Sequence, residues 1–265
     1  MKFILIFTFL IFSHSVAALE LKGDITQGSL IIGKEDPNRI IFINNIKTKL
    51  SKDGFFVFAI NYNQKGNIII KSVDKNNQIE TKSYKIKSRI FKTEKIDGLA
   101  ENLVTPDEES LKQIKVEQKL IESALNENTD YIFFNLGFLK PVESARISGV
   151  YGSRRILNGQ VRSPHLGVDF AAPKGTEVKA SCDGYVSLVE DNFYYTGKTI
   201  ILDHGQGVST FYGHLSDIIL IHKGDFVKKG QVIGKVGASG RATGPHLHFG
   251  VSVFETKVDP QLLLK

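Results

Sequence analysis

Glycine and histidine are distributed unevenly along the chain, and that asymmetry constrains the fold more than any other feature. Of 24 glycines, 7 lie at or before residue 140 and 17 after it, and every histidine except His14 lies at or after residue 165. Glycine tolerates the positive φ angles that tight turns demand, so the C-terminal half reads as short strands turned at glycine. Thr176–Ala180, Gly184–Val189, Thr199–Leu202 and Gln231–Val236 are the clearest of them. No useful length of helical periodicity intervenes, and all imidazole chemistry is confined to this half. The composition shift sets a boundary near residue 140 and defines a C-terminal unit over 141–265.

Before that boundary, residues 19–100 carry β-branched runs such as Ile40–Ile43, Phe55–Phe58 and Ile68–Ile70, separated by polar turns that include Asp53-Gly54 and Lys65-Gly66-Asn67. They predict a small β-sandwich. A linker over 101–140 follows, with a helix expected from about 106 to 127. Thr105 is its expected N-cap, with Pro106 at the first helical position and Asp107, Glu108 and Glu109 at the positive helix end. Leu111, Ile114, Ile121 and Leu125 recur at helical spacing and predict one apolar stripe that braces the two halves. The fold class expected is mostly β: a glycine-rich antiparallel C-terminal domain, an N-terminal sandwich and a connecting helix.

Residues 1–18 read as an export signal: Met1-Lys2, an apolar run from Phe3 to Phe12, and small residues at Val16-Ala17-Ala18. Ten apolar residues fall short of the roughly 20 that a membrane-crossing helix needs. The expected location is therefore exported, with no transmembrane segment remaining after signal removal. The net charge of +6 favours an anionic polymer or surface as partner. Basic and acidic side chains are interspersed, without the stripe of like charge that marks a nucleic-acid binder. Cys182 is the only cysteine, which excludes an intramolecular disulfide and a thiolate-rich zinc finger and leaves a small buried hydrophobe as its expected role.

His165-Leu166-Gly167-Val168-Asp169 places an imidazole and a carboxylate four residues apart, on one side of the chain whether it is extended or helical. His246-Leu247-His248-Phe249 sets two imidazoles on one face of a strand and two large apolar groups on the other, so that one face can be core while the opposite face is a site. Either pair alone is a common accident. Three histidine or carboxylate ligands with a fourth position left to water form the pattern of catalytic zinc, whereas structural zinc takes a fourth ligand, usually sulfur. Arg154, Arg155 and Asn158 in one loop, and Arg241 in the glycine-rich loop before His246, can meet substrate carboxylates through their polar heads or be solvated loop residues. His204, in Asp203-His204-Gly205, reads as a turn residue, and His222 as an exposed one.

The segments HLGVD at 165–169, FYGHL at 211–215 and SGRATGPHLHFGV at 239–251 together resemble the lysostaphin-type, LytM-like zinc endopeptidases of peptidoglycan. The resemblance covers most of residues 145–260 in the family's order. It implies that His165, Asp169 and His248 bind one zinc ion and that His214 and His246 are the catalytic histidines, with no member of that set missing. The arrangement of signal peptide, β-rich module, helix and C-terminal peptidase is similar to periplasmic members of Gram-negative bacteria. Their implied reaction is cleavage of the D-alanyl to diaminopimelyl cross-link between peptidoglycan stem peptides. The alternative on the same scaffold is a non-catalytic, peptidoglycan-binding regulator of other wall hydrolases. Residues 223–234 also look like the hairpin of biotinyl and lipoyl carrier domains, but no modifiable lysine stands at a carrier-like tip, so that likeness speaks to the half-barrel architecture alone.

Overall fold

The computed structural model describes residues 19–98 and 101–264. The expected export signal, residues 1–18, lies outside the described residues. The strands of the first half are β1 Glu20–Lys22, β2 Leu30–Lys34, β3 Ile40–Ile43, β4 Ile46–Thr48, β5 Phe55–Ala59, β6 Asn67–Val73, β7 Ile79–Lys85 and β8 Thr93–Ile96. A short helix α1, Glu101–Val104, and a long helix α2, Glu108–Leu125, lead into the second half. There the chain forms β9 Arg146–Gly149, β10 Arg154–Leu157, β11 Gln160–Arg162, β12 Val168–Ala171, β13 Glu177–Lys179, β14 Gly184–Phe193 and β15 Gly197–Asp203. It continues through β16 Val208–Ile218, β17 Phe226–Val227, β18 Val232–Val236, β19 His246–Val253 and β20 Thr256–Val258.

Two sheets, β1-β2-β5 and β4-β3-β6-β7, enclose a core of Ile31, Ile41, Phe56, Phe58, Ile60, Ile68 and Ile70. This is the expected sandwich: alternation along β6 puts Ile68 and Ile70 inside while Ile69 faces out. The second half is organised on an open antiparallel sheet with the path β17-β14-β15-β16-β19-β12-β9, extended by β13, β18 and β20. Its core holds Tyr212, Leu247, Phe249, Phe170 and Val168 and takes in Leu30 and Val57 from the sandwich, so the buried apolar network runs across both halves. Asp259 ties them further, its carboxylate accepting from Arg89 at 2.6 Å while its backbone N–H donates to the Gly28 carbonyl at 2.7 Å.

Helix α2 begins two residues later than the spacing predicts. Asp107, not Thr105, is the N-cap, its side chain accepting from the Ser110 N–H. Pro106 therefore precedes the cap instead of opening the first turn. Ile114 and Leu125 are buried as expected, whereas Leu111 remains exposed near the helix start. Glu117 occupies the inward face among these apolar residues, accepting from the Tyr194 N–H at 2.9 Å and from Gln113 Nε2 at 2.7 Å. The helix packs on β14 and β15. His204 stands in the turn between β15 and β16, as expected, but is fully buried. Its Nδ1–H donates to the Asp183 carbonyl and its Nε2 lies 2.7 Å from Thr210 Oγ1. Cys182 is buried too, its Sγ 3.2 Å from the Phe133 carbonyl, and burial pushes its thiol pKa up to about 12. His222 is exposed.

Candidate metal centre

Strand register brings the motif residues together. In the antiparallel pairing of β12 with β19, Asp169 stands opposite His248, and Gly213 of β16 stands opposite His248 from the other side. Cross-strand partners share a face, so one side of β19 carries His246 and His248 while Leu247 and Phe249 on the other are completely buried. His165 enters from the turn before β12. The His165 Nε2 atom lies 3.0 Å from Asp169 Oδ1 and 3.0 Å from His248 Nδ1, and His248 Nδ1 lies 2.8 Å from Asp169 Oδ1.

Three donor atoms thus form a near-equilateral triangle. Corners of such a triangle lie about 1.7 Å from its centre, inside the roughly 2.0–2.2 Å at which zinc takes nitrogen and oxygen, so one ion can reach all three from one side. Backbone contacts favour the required tautomer of His165, whose Nδ1 faces the Val150 carbonyl at 3.3 Å and leaves the Nε2 lone pair for the centre. Two glycines make room. A Cβ on Gly167 would stand 2.6 Å from His248 Cε1, and one on Gly149 would stand 2.4 Å from Asp169 Oδ2. Burial would raise the Asp169 pKa, but hydrogen bonds and charge from His165 and His248 outweigh it and hold the carboxyl far below its ordinary range. Burial lowers His248 to about 4 against the pull of Asp169. A neutral His248 imidazole beside an ionised Asp169 carboxylate matches the protonation states that a metal requires of such ligands.

His214 and His246 flank this triangle, their rings 4.7 Å apart, with His246 Nε2 3.9 Å from Asp169 Oδ1. Each directs Nδ1 at a backbone carbonyl, Ser239 at 2.7 Å for His214 and Gly244 at 2.9 Å for His246, which leaves both Nε2 lone pairs available. His214 holds a left-handed backbone, φ 60°, fixed by its N–H donating to the Thr196 carbonyl. Non-glycine residues in that region cost about 1–3 kcal/mol and cluster at functional sites. Burial, then the neighbouring His246 and His248, lowers the His214 pKa to about 3.

The five histidine and aspartate positions read from the motifs therefore converge, while the predicted polar contacts separate. Arg155 and Arg241 line the cleft beside the triangle, a cavity of about 390 Å³; the Arg241 guanidinium stacks 4.0 Å above the Tyr195 ring. Arg154 is exposed outside that cleft. Asn158 forms the β10–β11 turn with Gly159, both at positive φ, the backbone that Asn-Gly serves in a tight hairpin. Arg162 and Lys257 also line the cleft, and the motifs gave no signal for either. Ile121 and Leu125 of α2, with Leu166 and Phe211, wall a smaller apolar pocket that adjoins His248. Among the described residues no helix is long and apolar enough to cross a membrane.

An open antiparallel sheet thus presents a His2Asp triangle that could hold a metal ion, with two further histidines beside it. Residues 163–260, a lysostaphin-type, LytM-like segment, match the model of Peptidase family M23. The DD-carboxypeptidase/endopeptidase Mpg of Neisseria meningitidis serogroup B is 38% identical over 122 residues, 46% of this chain and 28% of that protein. The peptidoglycan DD-endopeptidase ShyA of Vibrio cholerae is 45% identical over 115 residues, 43% of this chain and 26% of that one. The chain spans about a quarter of the length of these relatives. A crystal structure of a putative peptidase M23 from Pseudomonas aeruginosa is 28% identical, with a TM-score of 0.69 over 90% of this chain and 94% of that one.

Proposed function

We propose that this protein is an exported, periplasmic zinc endopeptidase that hydrolyses peptide cross-links of peptidoglycan, with the D-alanyl to diaminopimelyl bond as its target. The observation that carries the proposal is the triangle of His165 Nε2, Asp169 Oδ1 and His248 Nδ1, with edges of 2.8–3.0 Å and two uncommitted imidazole nitrogens beside it. The relatives named DD-endopeptidase support the reaction class and the substrate polymer. In this reading residues 141–265 form the peptidase domain, residues 19–100 the N-terminal module and 101–140 the linker. His165, Asp169 and His248 hold one zinc ion per chain.

When bound, zinc supplies a lowered pKa for a water molecule, toward about 7, and polarisation of the scissile carbonyl. The protein's own contribution is proton handling. His214 and His246, with Nδ1 engaged by carbonyls, present Nε2 to the cleft, where the pair accepts the proton released on water attack and returns one to the departing amine. No serine or cysteine nucleophile is required. Arg241, braced on Tyr195, and Arg162 across the same cleft supply positive charge for a stem-peptide carboxylate.

Purified peptidoglycan digested by the mature protein, with and without a chelator, tests the reading when released fragments are identified by mass spectrometry. Cross-linked dimers converted to monomers, with zinc bound at one equivalent and chelation abolishing the conversion, is the expected result. Stoichiometric zinc with no released fragment would favour the wall-binding regulator instead.

A further inference from the structure

The second oxygen of Asp169 is held from outside the matched family segment. Arg155 Nη2 donates to Asp169 Oδ2 at 3.0 Å, and among the described residues this is the one hydrogen-bond partner of its guanidinium. Arg155 lies on β10, ahead of residues 163–260. Its side chain is 22% exposed. On the other side of Oδ2 stands Gly149, so close that any Cβ there would collide with that oxygen. The carboxylate is therefore wedged between a guanidinium and a bare backbone, with Oδ1 alone turned to His165 and His248.

We infer that Arg155 is a positioning residue of the metal centre: by engaging Oδ2 it restricts Asp169 to one-oxygen ligation and fixes the direction of Oδ1. The inference rests on the zinc reading above. A carboxylate free at both oxygens can rotate or chelate through both; one anchored at Oδ2 presents a single lone pair at a fixed angle, the role that outer-shell partners play around metal ligands. The same contact makes the first half of the chain a participant. Strand β10 pairs in parallel with β8, Arg155 opposite Glu94, and in antiparallel fashion with β11, Arg155 opposite Arg162. Flanked on both sides, the backbone that carries Arg155 is held by a strand contributed from beyond the sandwich.

Because Arg155 also lines the cleft, substrate binding is the competing role, and the two separate experimentally. Full-length Arg155→Met and Arg155→Gln are compared with the wild type for zinc affinity by chelator competition, for the visible spectrum of the cobalt-substituted protein, and for KM and kcat at saturating zinc, with apoprotein melting as the folding control. Arg155→Met should bind zinc about 10- to 100-fold more weakly and shift the cobalt bands, with KM close to wild type. Arg155→Gln, which keeps a donor, should lose less, and it carries the test if Arg155→Met does not fold. Wild-type zinc affinity and cobalt bands in the folded variants, with a raised KM, would overturn the assignment and make Arg155 a substrate contact. Absence of zinc binding by the wild-type chain would instead overturn the metal-site reading itself.

Discussion

His246 and His248 are two residues apart on one face of β19, yet their loss should have different consequences. Replacing His248 with alanine removes a corner of the donor triangle, so zinc and peptidoglycan hydrolysis should disappear together. His246→Ala should retain one equivalent of zinc while its hydrolysis falls by at least the 10²- to 10⁴-fold typical of a lost acid–base group. Zinc stoichiometry and fragment release on the same samples check both. Gly167→Ala tests the space around the centre. Its Cβ would meet His248 Cε1 at 2.6 Å and the Phe249 carbonyl oxygen at 2.8 Å, so zinc affinity should drop at least about 10-fold, as for other disturbances of ligand orientation. At this scale the sequence was legible where residues alternate: His-Leu-His-Phe declares its two faces by period two. It was illegible at His204, because an Asp-His-Gly turn carries no mark of the Phe138 ring and Asp183 carbonyl, distant in sequence, that enclose the imidazole.

Among the elements, α2 shows how a correctly anticipated helix can hide its main anchor. Apolar spacing located the helix and its inward stripe, but Glu117 reads as surface because its partner, the Tyr194 N–H, lies 77 residues away. Glu117→Ala should destabilise the protein by about 1 kcal/mol, the cost of losing a hydrogen bond to a half-buried N–H, read as a lower urea midpoint at unchanged slope. The start of α2 was misplaced for a local reason. Thr105 and Asp107 both have capping side chains, and the two positions differ only in which oxygen reaches an N–H three residues on. Likewise, Asn158 beside Arg154 and Arg155 suggests a binding loop until the Asn158–Gly159 turn between β10 and β11 accounts for it.

For the whole molecule, pH and metal are the two levers. Burial depresses His204 to about 4 from an ordinary value of 6.5. Between those values the unfolded chain binds the proton that the folded chain refuses, so stability rises with pH there. Conversely, acidification from pH 6.5 to 4 should remove about 3 kcal/mol at this position. The loss should be complete below pH 4 and largely absent in His204→Asn, as equilibrium unfolding across that range would report. Zinc at 100 times its dissociation constant should add about 3 kcal/mol of stability, so a chelator should lower the melting temperature of the wild type and leave that of His248→Ala unchanged. Composition marked the two halves through their glycines and histidines, but it held no hint that Leu30 and Val57 share a core with Phe249, since apolar residues do not announce which sheet they will meet. The parallel seam between β8 and β10 has a practical corollary for anyone trimming this protein to a minimal unit. A piece cut to the span its family recognises would discard the strand bearing Arg155 along with the neighbour that steadies it. The smallest self-sufficient unit that keeps the metal centre intact should therefore begin upstream of Thr93.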